Sequence, residues 1–336
     1  MPELRQNLAT REWVIISTER AKRPEEFVQP SKERVEDRPV YDPGCPFCPG
    51  NEELELEQLR IPTKGDWQVR VVRNKYPALR EDGDLVRHVD GLNHSITGIG
   101  YHEVIVETPI HNTCPALESE ATIEQTLRAF QLRGLALRED SRVEQLVFFK
   151  NHGRTAGASL MHPHTQLLAL PVVPYDIRTR VESARRYFLD WGECLNERIR
   201  KDEEQQGIRM ICQTEHFSAF VPFAAFSPFH LWIVPHRRVA SFLDALPEEL
   251  RELSGILKTL VRKLYFGLND PDYNYVIRSA PESERDAEYL QWYVSIVPRV
   301  SRMAGFELGS GMFINSSLPE ESAAFLRSVK DPEDEQ

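Results

Sequence analysis

Stretches of apolar residues, several of them alternating with polar ones, recur along the chain and predict β-strands. In the first half of the chain these stretches cover residues 11–17, 67–73, 100–109, 143–149 and 167–171. Apolar residues at helical spacing predict one helix at about 118–138 and a second at roughly 176–205. This mixture of strands and helices predicts an α+β fold.

The order of predicted elements in the second half of the chain repeats the order in the first half. The matching stretches are strands at 216–222, 229–236, 273–278 and 290–298, with a helix at 247–266. We interpret the repeat as a duplication, although chance similarity between two units of hairpins and a helix would give the same pattern. The predicted architecture is two related antiparallel sheets, each a half-barrel packed with helices, divided into domains at 1–175 and 176–336.

The C-terminal residues carry a further glycine-rich segment. Residues 304–315 predict a strand and a loop, 319–327 predict a short closing helix, and 331–336 predict an acidic, frayed end. Nearby glycines also mark ordinary turns, so the segment alone is a weak indication of a phosphate-binding loop.

Composition narrows the possible function classes. The 336 residues are 41% hydrophobic and 28% charged, which supports a sizeable core and a polar surface. A net charge of −11 argues against general nucleic-acid binding. No apolar run approaches a membrane span, and the first residues lack the order of a signal peptide, so we expect a cytoplasmic protein with no membrane partner.

The strongest candidate for chemistry is the segment that ends in His162-Pro-His164-Thr-Gln166. Side chains two apart on a strand point the same way, so these three polar groups should share one face. The small residues of the preceding loop, 151–159, let backbone N–H groups approach an anionic oxygen. A neutral imidazole beside a bound phosphate is a competent nucleophile toward phosphorus. A pair of hydrogen-bonded core histidines, or a metal-binding pair, would explain the same spacing.

The cysteines suggest a second centre. Their number is five, which makes a complete disulfide framework unexpected, and two of them form Cys45-Pro-Phe-Cys48. A Cys-x-x-Cys spacing in a cytosolic chain is typical of zinc or redox chemistry. Two unrelated thiols in a loop are the alternative interpretation.

The His-x-His-x-Gln motif, following an Asn-x-Gly…Gly-x-Ser loop, resembles the galactose-1-phosphate uridylyltransferase family. This family forms the transferase branch of the histidine-triad superfamily, and ADP-glucose phosphorylase is its close relative. The resemblance implies tandem histidine-triad-like domains, of which the first is catalytic and the second degenerate. It also implies a hexose-1-phosphate nucleotidyltransferase in which His164 attacks phosphorus while Gln166 and Ser159 hold phosphoryl oxygens.

The resemblance further implies a structural zinc ion, a homodimer and a set of substrate-binding residues. The expected zinc ligands are Cys45, Cys48, His111 and His162. A second metal site should be absent, because Gln291 and Tyr293 stand where family members often keep histidines. The expected substrate-binding residues are Arg20, Arg23, Asn74, Tyr76, Asn151, Gly157, Phe306, Glu307, Gly309 and Asn315.

Several hypotheses for function remain open at this stage. Uridylyl transfer between a nucleotide sugar and galactose 1-phosphate is preferred, as part of galactose metabolism. Adenylyl transfer from ADP-glucose to phosphate is the alternative, because Lys75 replaces a common acidic residue and 304–315 resembles ADP-glucose phosphorylase. A metal-dependent hydrolase using His162 and His164 and a non-catalytic nucleotide sensor are the remaining possibilities.

Overall fold

The computed structural model describes residues 1–17, 23–28 and 32–330, which form an α+β fold as predicted. The described strands are β1 (Glu3–Gln6), β2 (Trp13–Ile16), β3 (Glu57–Ile61), β4 (Val69–Arg73), β5 (Arg87–Asp90), β6 (Asn93–Ile96), β7 (Tyr101–Val106), β8 (Gln145–His152), β9 (His164–Leu170), β10 (Met210–Gln213), β11 (Phe217–Phe220), β12 (Leu231–Pro235), β13 (Tyr273–Arg278), β14 (Tyr293–Pro298) and β15 (Phe313–Asn315). The described α-helices are α1 (Glu120–Leu137), α2 (Tyr175–Trp191), α3 (Leu195–Gln206), α4 (Pro247–Leu268), α5 (Gly305–Ser310) and α6 (Pro319–Ser328).

Ten of these strands form one antiparallel sheet, in the order β10-β11-β12-β14-β13-β8-β9-β7-β4-β3. The centre of this sheet is the pairing of β13 with β8, in which Tyr275 lies opposite Lys150. Read outward from the centre, each half has five strands, β8-β9-β7-β4-β3 on one side and β13-β14-β12-β11-β10 on the other. The two antiparallel sheets that we predicted are therefore joined edge to edge. A boundary between two domains at residue 175 remains a prediction.

The main core lies between the sheet and helices α1 and α4. Helix α1 begins at Ser119, whose hydroxyl accepts a hydrogen bond from the backbone N–H of Thr122. It approaches its neighbours closely at Gly134, where an added Cβ would lie 2.5 Å from a methyl carbon of Leu243. No helix among residues 1–17, 23–28 and 32–330 is long and apolar enough to cross a membrane.

Two predicted segments differ from the structure, and β1, β3, β5, β6 and β10 lie where no element was predicted. The expected helix over 176–205 is two helices, because Gly192 adopts a left-handed φ of 72° and ends α2. The segment 304–315, predicted as a strand and loop, is the short helix α5 followed by β15, which pairs in parallel with β2. The polar stretch at 80–98 contains the exposed hairpin β5–β6, which lacks the apolar alternation that would have predicted it.

Candidate functional site

Four buried side chains from separate segments converge beside the start of β9. They are Cys45, Cys48, His111 and His162, and their ligand atoms all lie within 4.8 Å of one another. The Sγ atom of Cys48 lies 3.5 Å from Nδ1 of His111 and 3.6 Å from Nδ1 of His162, and Sγ of Cys45 lies 3.7 Å from Nδ1 of His162. Tetrahedral bonds of ordinary zinc–sulfur and zinc–nitrogen length would separate such atoms by about 3.6 Å. The residues thus fit a four-coordinate metal ion.

The hydrogen bonds of His162 favour the same interpretation. Its Nε2 lies 2.7 Å from the backbone oxygen of Thr108, so Nε2 carries the proton and donates to that carbonyl. The lone pair is then on Nδ1, the atom that faces both thiols. Burial lowers the pKa of this imidazole to about 4, which keeps the ring neutral. A neutral, oriented imidazole is the form that binds a metal.

A tight turn presents the two cysteines. The backbone N–H of Cys45 donates to the carbonyl of Asp42, and the N–H of Cys48 donates to the carbonyl of Cys45. The side-chain amide of Asn51 donates to the carbonyl of Cys45 at 2.8 Å, and the N–H of Asp42 lies 3.4 Å from Sγ of Cys48. Burial raises the pKa of the Cys45 thiol to about 11, so a bound cation would be needed to stabilise the thiolate.

His164, the first residue of β9, is oriented by the backbone of its own segment. Its Nδ1 lies 2.8 Å from the carbonyl oxygen of His162, so Nδ1–H donates and Nε2 keeps its lone pair. Burial lowers the pKa of His164 to about 4, and the like charge of Lys150 lowers it further in the same direction. The ring is therefore neutral at neutral pH, with one unprotonated nitrogen.

A buried ion pair supports the strand that carries His164. The ammonium of Lys150 lies 2.7 and 2.8 Å from the two carboxylate oxygens of Glu107, and it also donates to the carbonyl oxygen of His164 at 3.2 Å. Both side chains are almost fully buried, at 2% and 5% exposed. These contacts connect β7, β8 and β9 where the histidine motif begins.

Gln166 lies two residues after His164, on the same face of β9, and its amide is held by His102. The backbone N–H of Ala78 donates to Nδ1 of His102, so the ring proton lies on Nε2. This Nε2–H donates to Oε1 of Gln166 at 2.8 Å. Asn74 also lies against this ring, with its amide nitrogen 3.1 Å from Nε2 of His102. The amide oxygen of Gln166 is thereby engaged, whereas no hydrogen bond from its N–H groups is formed within residues 1–17, 23–28 and 32–330.

Hydrogen bonds from residues of β13 and of the segment before β13 hold the loop of small residues after β8 in place. Oδ1 of Asn151 accepts a hydrogen bond from Asn274 at 2.8 Å, and Gly157 packs close to the Asn151 amide with a φ of 96°. Asp272 accepts hydrogen bonds from the N–H and hydroxyl of Thr155, at 2.7 and 2.6 Å. Gly153 is essential to this packing, because an added Cβ would lie 1.9 Å from a carboxylate oxygen of Asp272.

The other predicted site residues lie on the surface, in or beside the three-stranded sheet β1-β2-β15, or outside the described residues. Ser159, Tyr76 and Arg23 are exposed, and Arg20 lies outside the described residues. Three further candidates lie in α5, which packs against β15 of the three-stranded sheet: Phe306, Glu307 and Gly309. Asn315 is buried and its amide is already engaged, donating to Ala225 and accepting from Ser317. A contact of Asn315 with substrate stays a prediction.

The structure also adds residues that were not predicted as part of the site. These are His102, Glu107, Lys150, Asp272 and Asn274. A lysine in the middle of an apolar strand was a signal for a buried pair, since an isolated buried ammonium is costly. The partners of the others lie far away in the chain, so their spacing carried no signal.

Comparison with known proteins gives relatives that match nearly the whole chain. Residues 1–174 match the family described as Galactose-1-phosphate uridyl transferase, N-terminal domain. The chain is 35% identical to ADP-glucose phosphorylase of Arabidopsis thaliana over 98% of its own length and 93% of that protein's. It is 32% identical to galactose-1-phosphate uridylyltransferase of Thermotoga maritima, covering 98% and 99% of the two chains.

The fold agrees with solved structures of an ADP-glucose phosphorylase and a uridylyltransferase. A crystal structure of the Arabidopsis ADP-glucose phosphorylase with bound ADP-glucose superimposes with a TM-score of 0.82 at 33% identity, covering 98% of this chain and all of that one. A uridylyltransferase structure superimposes with a TM-score of 0.76 at 27% identity, covering 98% of each chain. The converging metal-ligand group, the histidine motif and these matches lead to one conclusion: this chain belongs to the galactose-1-phosphate uridylyltransferase family.

Proposed function

We propose that this protein transfers a nucleoside monophosphate between a nucleotide sugar and a phosphate-bearing acceptor through a covalent nucleotidyl-histidine. The observation that carries the proposal is the state of His164, a neutral ring whose Nδ1 is tied to the backbone while Nε2 keeps its lone pair. An imidazole in this state can attack phosphorus without first losing a proton.

The reaction would consist of two displacements at one phosphorus. In the first, Nε2 of His164 attacks the α-phosphorus, an N–P bond forms, the bond to the bridging oxygen breaks, and the sugar 1-phosphate leaves. In the second, an oxygen of the acceptor attacks the same phosphorus, the N–P bond breaks, and the nucleotide product leaves. Gln166, with its amide oxygen held by His102, would donate N–H groups to the phosphoryl oxygens as charge redistributes.

The loop of small residues would hold the phosphate against the histidine. Asn151 and Gly157 belong to this loop, and Asn274 and Asp272 fix its conformation. Ser159, exposed at the end of the loop, would contribute its hydroxyl once a substrate is bound. Arg20 and Arg23 would supply positive charge to the phosphates, and in a homodimer they would act on the partner subunit's site.

Cys45, Cys48, His111 and His162 would hold a structural zinc ion. Zinc favours two thiolates and two imidazoles at tetrahedral angles, and with four protein ligands the ion has no open position for water. It would brace the turn of the cysteines against the segment that leads into β9. His162 belongs to this group whereas His164 does not, which favours nucleotidyl transfer over a hydrolase with metal on both histidines.

For the nucleotide, we propose adenylyl transfer from ADP-glucose to inorganic phosphate, which would yield glucose 1-phosphate and ADP. This reverses our preference from sequence alone. The support is the 35% identity and the 0.82 TM-score with ADP-glucose phosphorylase. Uridylyl transfer to galactose 1-phosphate is the second candidate, supported by the 32% identity with the Thermotoga enzyme.

The test compares the two donor and acceptor pairs on the same preparation. We expect the kcat/KM with ADP-glucose and phosphate to exceed that with UDP-glucose and galactose 1-phosphate by about a hundredfold or more, a difference typical of a site that recognises base polar groups. The opposite ratio would assign the protein to uridylyl transfer.

Isotope exchange separates the covalent route from direct transfer. Labelled glucose 1-phosphate should enter ADP-glucose when phosphate is absent, because the first displacement is reversible on its own. His164→Gly should abolish this exchange, whereas His94→Gly, in the exposed hairpin, should leave it unchanged. Exchange that requires phosphate would contradict a nucleotidyl-histidine intermediate.

A further inference from the structure

A partly enclosed cleft lies at the other end of the sheet from the zinc-ligand group. It is bounded by α2, the start of α3, the first residues of β8 and β14, and the end of β13. Much of the lining is apolar, including Leu146, Val147, Ile177, Val181, Leu195 and Leu290. The site described above accounts for none of these residues.

Two arginines face this cleft, and neither forms an ion pair within the described part of the chain. Arg180 comes from α2 and Arg278 from the last position of β13. Nε and Nη1 of Arg180 and Nε of Arg278 are buried, and within residues 1–17, 23–28 and 32–330 they have no hydrogen-bond partner. By contrast, the buried guanidinium of Arg209 is paired with Glu203 at 2.9 Å. Two unpaired cations sharing one cleft are costly unless an anion binds between them.

The electrostatics of Arg278 agree with this geometry. Burial and the like charge of Arg180 lower the pKa of Arg278 to about 10. Tyr293, Asp176 and Glu12 act in the opposite direction through space, but none of them forms an ion pair with Arg278 within the described part of the chain. A dianionic group close to both guanidinium groups would remove their mutual repulsion.

The cleft also offers two hydrogen-bond acceptors. The amide nitrogen of Gln291 donates to the carbonyl of Pro235 at 2.6 Å, and that of Gln145 donates to the carbonyl of Leu146 at 2.7 Å. These bonds fix both amides, and the two Oε1 atoms are buried without a partner among the described residues. Amide oxygens of this kind suit hydroxyl groups, so the cleft combines donors for a phosphate with acceptors for a sugar.

The cleft has a defined relation to the histidine site. Going outward from the centre of the sheet, β13 and β14 take the places of β8 and β9. The cleft at the start of β14 thus corresponds to the position of His164 at the start of β9. On β8, Gln145 lines the cleft and Asn151 lies at the histidine site. The two residues are six positions apart, which corresponds to about 20 Å along a strand. One ligand the size of a sugar phosphate therefore cannot occupy both sites.

We infer that this cleft is a second binding site, specific for a phosphorylated sugar, with Arg180 and Arg278 on the phosphate and Gln145 and Gln291 on sugar hydroxyls. This inference goes beyond the proposed function, because it requires no chemistry at His164. In this inference, the half of the sheet formed by β13, β14, β12, β11 and β10 binds a ligand but catalyses no reaction.

The test is calorimetric titration of the full-length protein with glucose 1-phosphate, inorganic phosphate and glucose. We expect the wild type to bind one more equivalent of glucose 1-phosphate per chain than Arg180→Gln or Arg278→Gln. Charge-assisted hydrogen bonds are the main contacts, so each variant should weaken this equivalent by at least about tenfold. Arg186→Gln, an exposed arginine on the same helix, should bind like the wild type.

Two further measurements keep the result interpretable. Ala184→Phe should fill the cleft from α2 and remove the same equivalent without changing charge. In the absence of ligand, Arg180→Gln should unfold at a higher temperature than the wild type, because it removes an unpaired cation whose Nε and Nη1 atoms are buried.

The difference in bound equivalents of glucose 1-phosphate between the wild type and Arg180→Gln also tests this inference independently of the proposed function. If His164 binds no sugar phosphate, the total number of equivalents falls, but the loss in Arg180→Gln persists. Equal numbers of equivalents in the wild type and Arg180→Gln would overturn the inference. Inorganic phosphate binding as tightly as glucose 1-phosphate would overturn the sugar specificity.

Discussion

The buried pair of Lys150 and Glu107 gives the sharpest prediction for stability. Glu107→Gln keeps the shape of the side chain but removes the carboxylate partner of the Lys150 ammonium. The Lys150 side chain is only 2% exposed in the structure. Removing one member of a buried pair typically costs about 3–5 kcal/mol of folding free energy, because the remaining charge is uncompensated. Two short contacts to the carboxylate place this pair toward the upper part of that range.

Equilibrium unfolding in urea measures this cost. The double variant Lys150→Met/Glu107→Leu should recover most of the loss, because it removes both charges and fills similar volume. Glu53→Gln provides the matched control, because its pair with Lys75 has a similar contact distance of 2.8 Å but lies on the surface, and no measurable loss is expected. A loss in Glu107→Gln of less than about 1 kcal/mol would refute the reasoning that the pair is desolvated.

Three further predictions concern the site and the acid stability of the fold. His102→Leu should lower kcat by about ten- to a hundredfold with little change in KM, because it frees the Gln166 amide; steady-state kinetics and an unchanged unfolding temperature would check this. Cys48→Ser should reduce bound zinc, measured by elemental analysis, from about one ion per chain and lower the unfolding temperature; full zinc content would contradict the proposed ligands. Burial and the charges of Arg278 and Arg180 lower the pKa of His230 to about 3. The unfolded chain, with an ordinary pKa of 6.5, therefore takes up this proton first, and stability is lost as pH falls from 6.5 toward 3. Urea unfolding across that range should show a shallower loss in His230→Gln.

Periodicity predicted the elements whose apolar pattern is strong. The strands predicted at 11–17, 67–73, 100–109, 143–149, 167–171, 216–222, 229–236, 273–278 and 290–298 and the helices α1, α4 and α6 lie where the sequence placed them, apart from shifts of a few residues at their ends. The short strands β1, β3 and β10 had no predicted counterpart. It failed where a single residue or an exposed face decides the structure. Gly192 divides the predicted second helix, and the hairpin β5–β6 has polar residues on both faces. The joining of two sheets at β8 and β13 depends on unpaired backbone edges, which side-chain patterns do not encode.

For the site, short-range motifs were informative and long-range contacts were not. The spacing of Cys45 and Cys48 and of His162 and His164 identified two pairs that the structure places side by side. Their support comes from residues far away in the chain, such as Asn274, whose partner Asn151 lies 123 positions earlier. Nothing in a single sequence specifies such a pair, because each amide alone is compatible with a solvated turn.

The seam between β8 and β13 bears on what a fragment of this protein would do. A polypeptide ending near residue 174 would expose the backbone groups of β8 that normally pair with β13. This strand has eight residues and contains the apolar run 146–149, and a long unpaired edge of this kind can pair with other chains into aggregates. We therefore expect each half, expressed alone, to aggregate and not to remain monomeric. Because both halves belong to one polypeptide, the edge of β8 always has β13 of the same chain available for pairing.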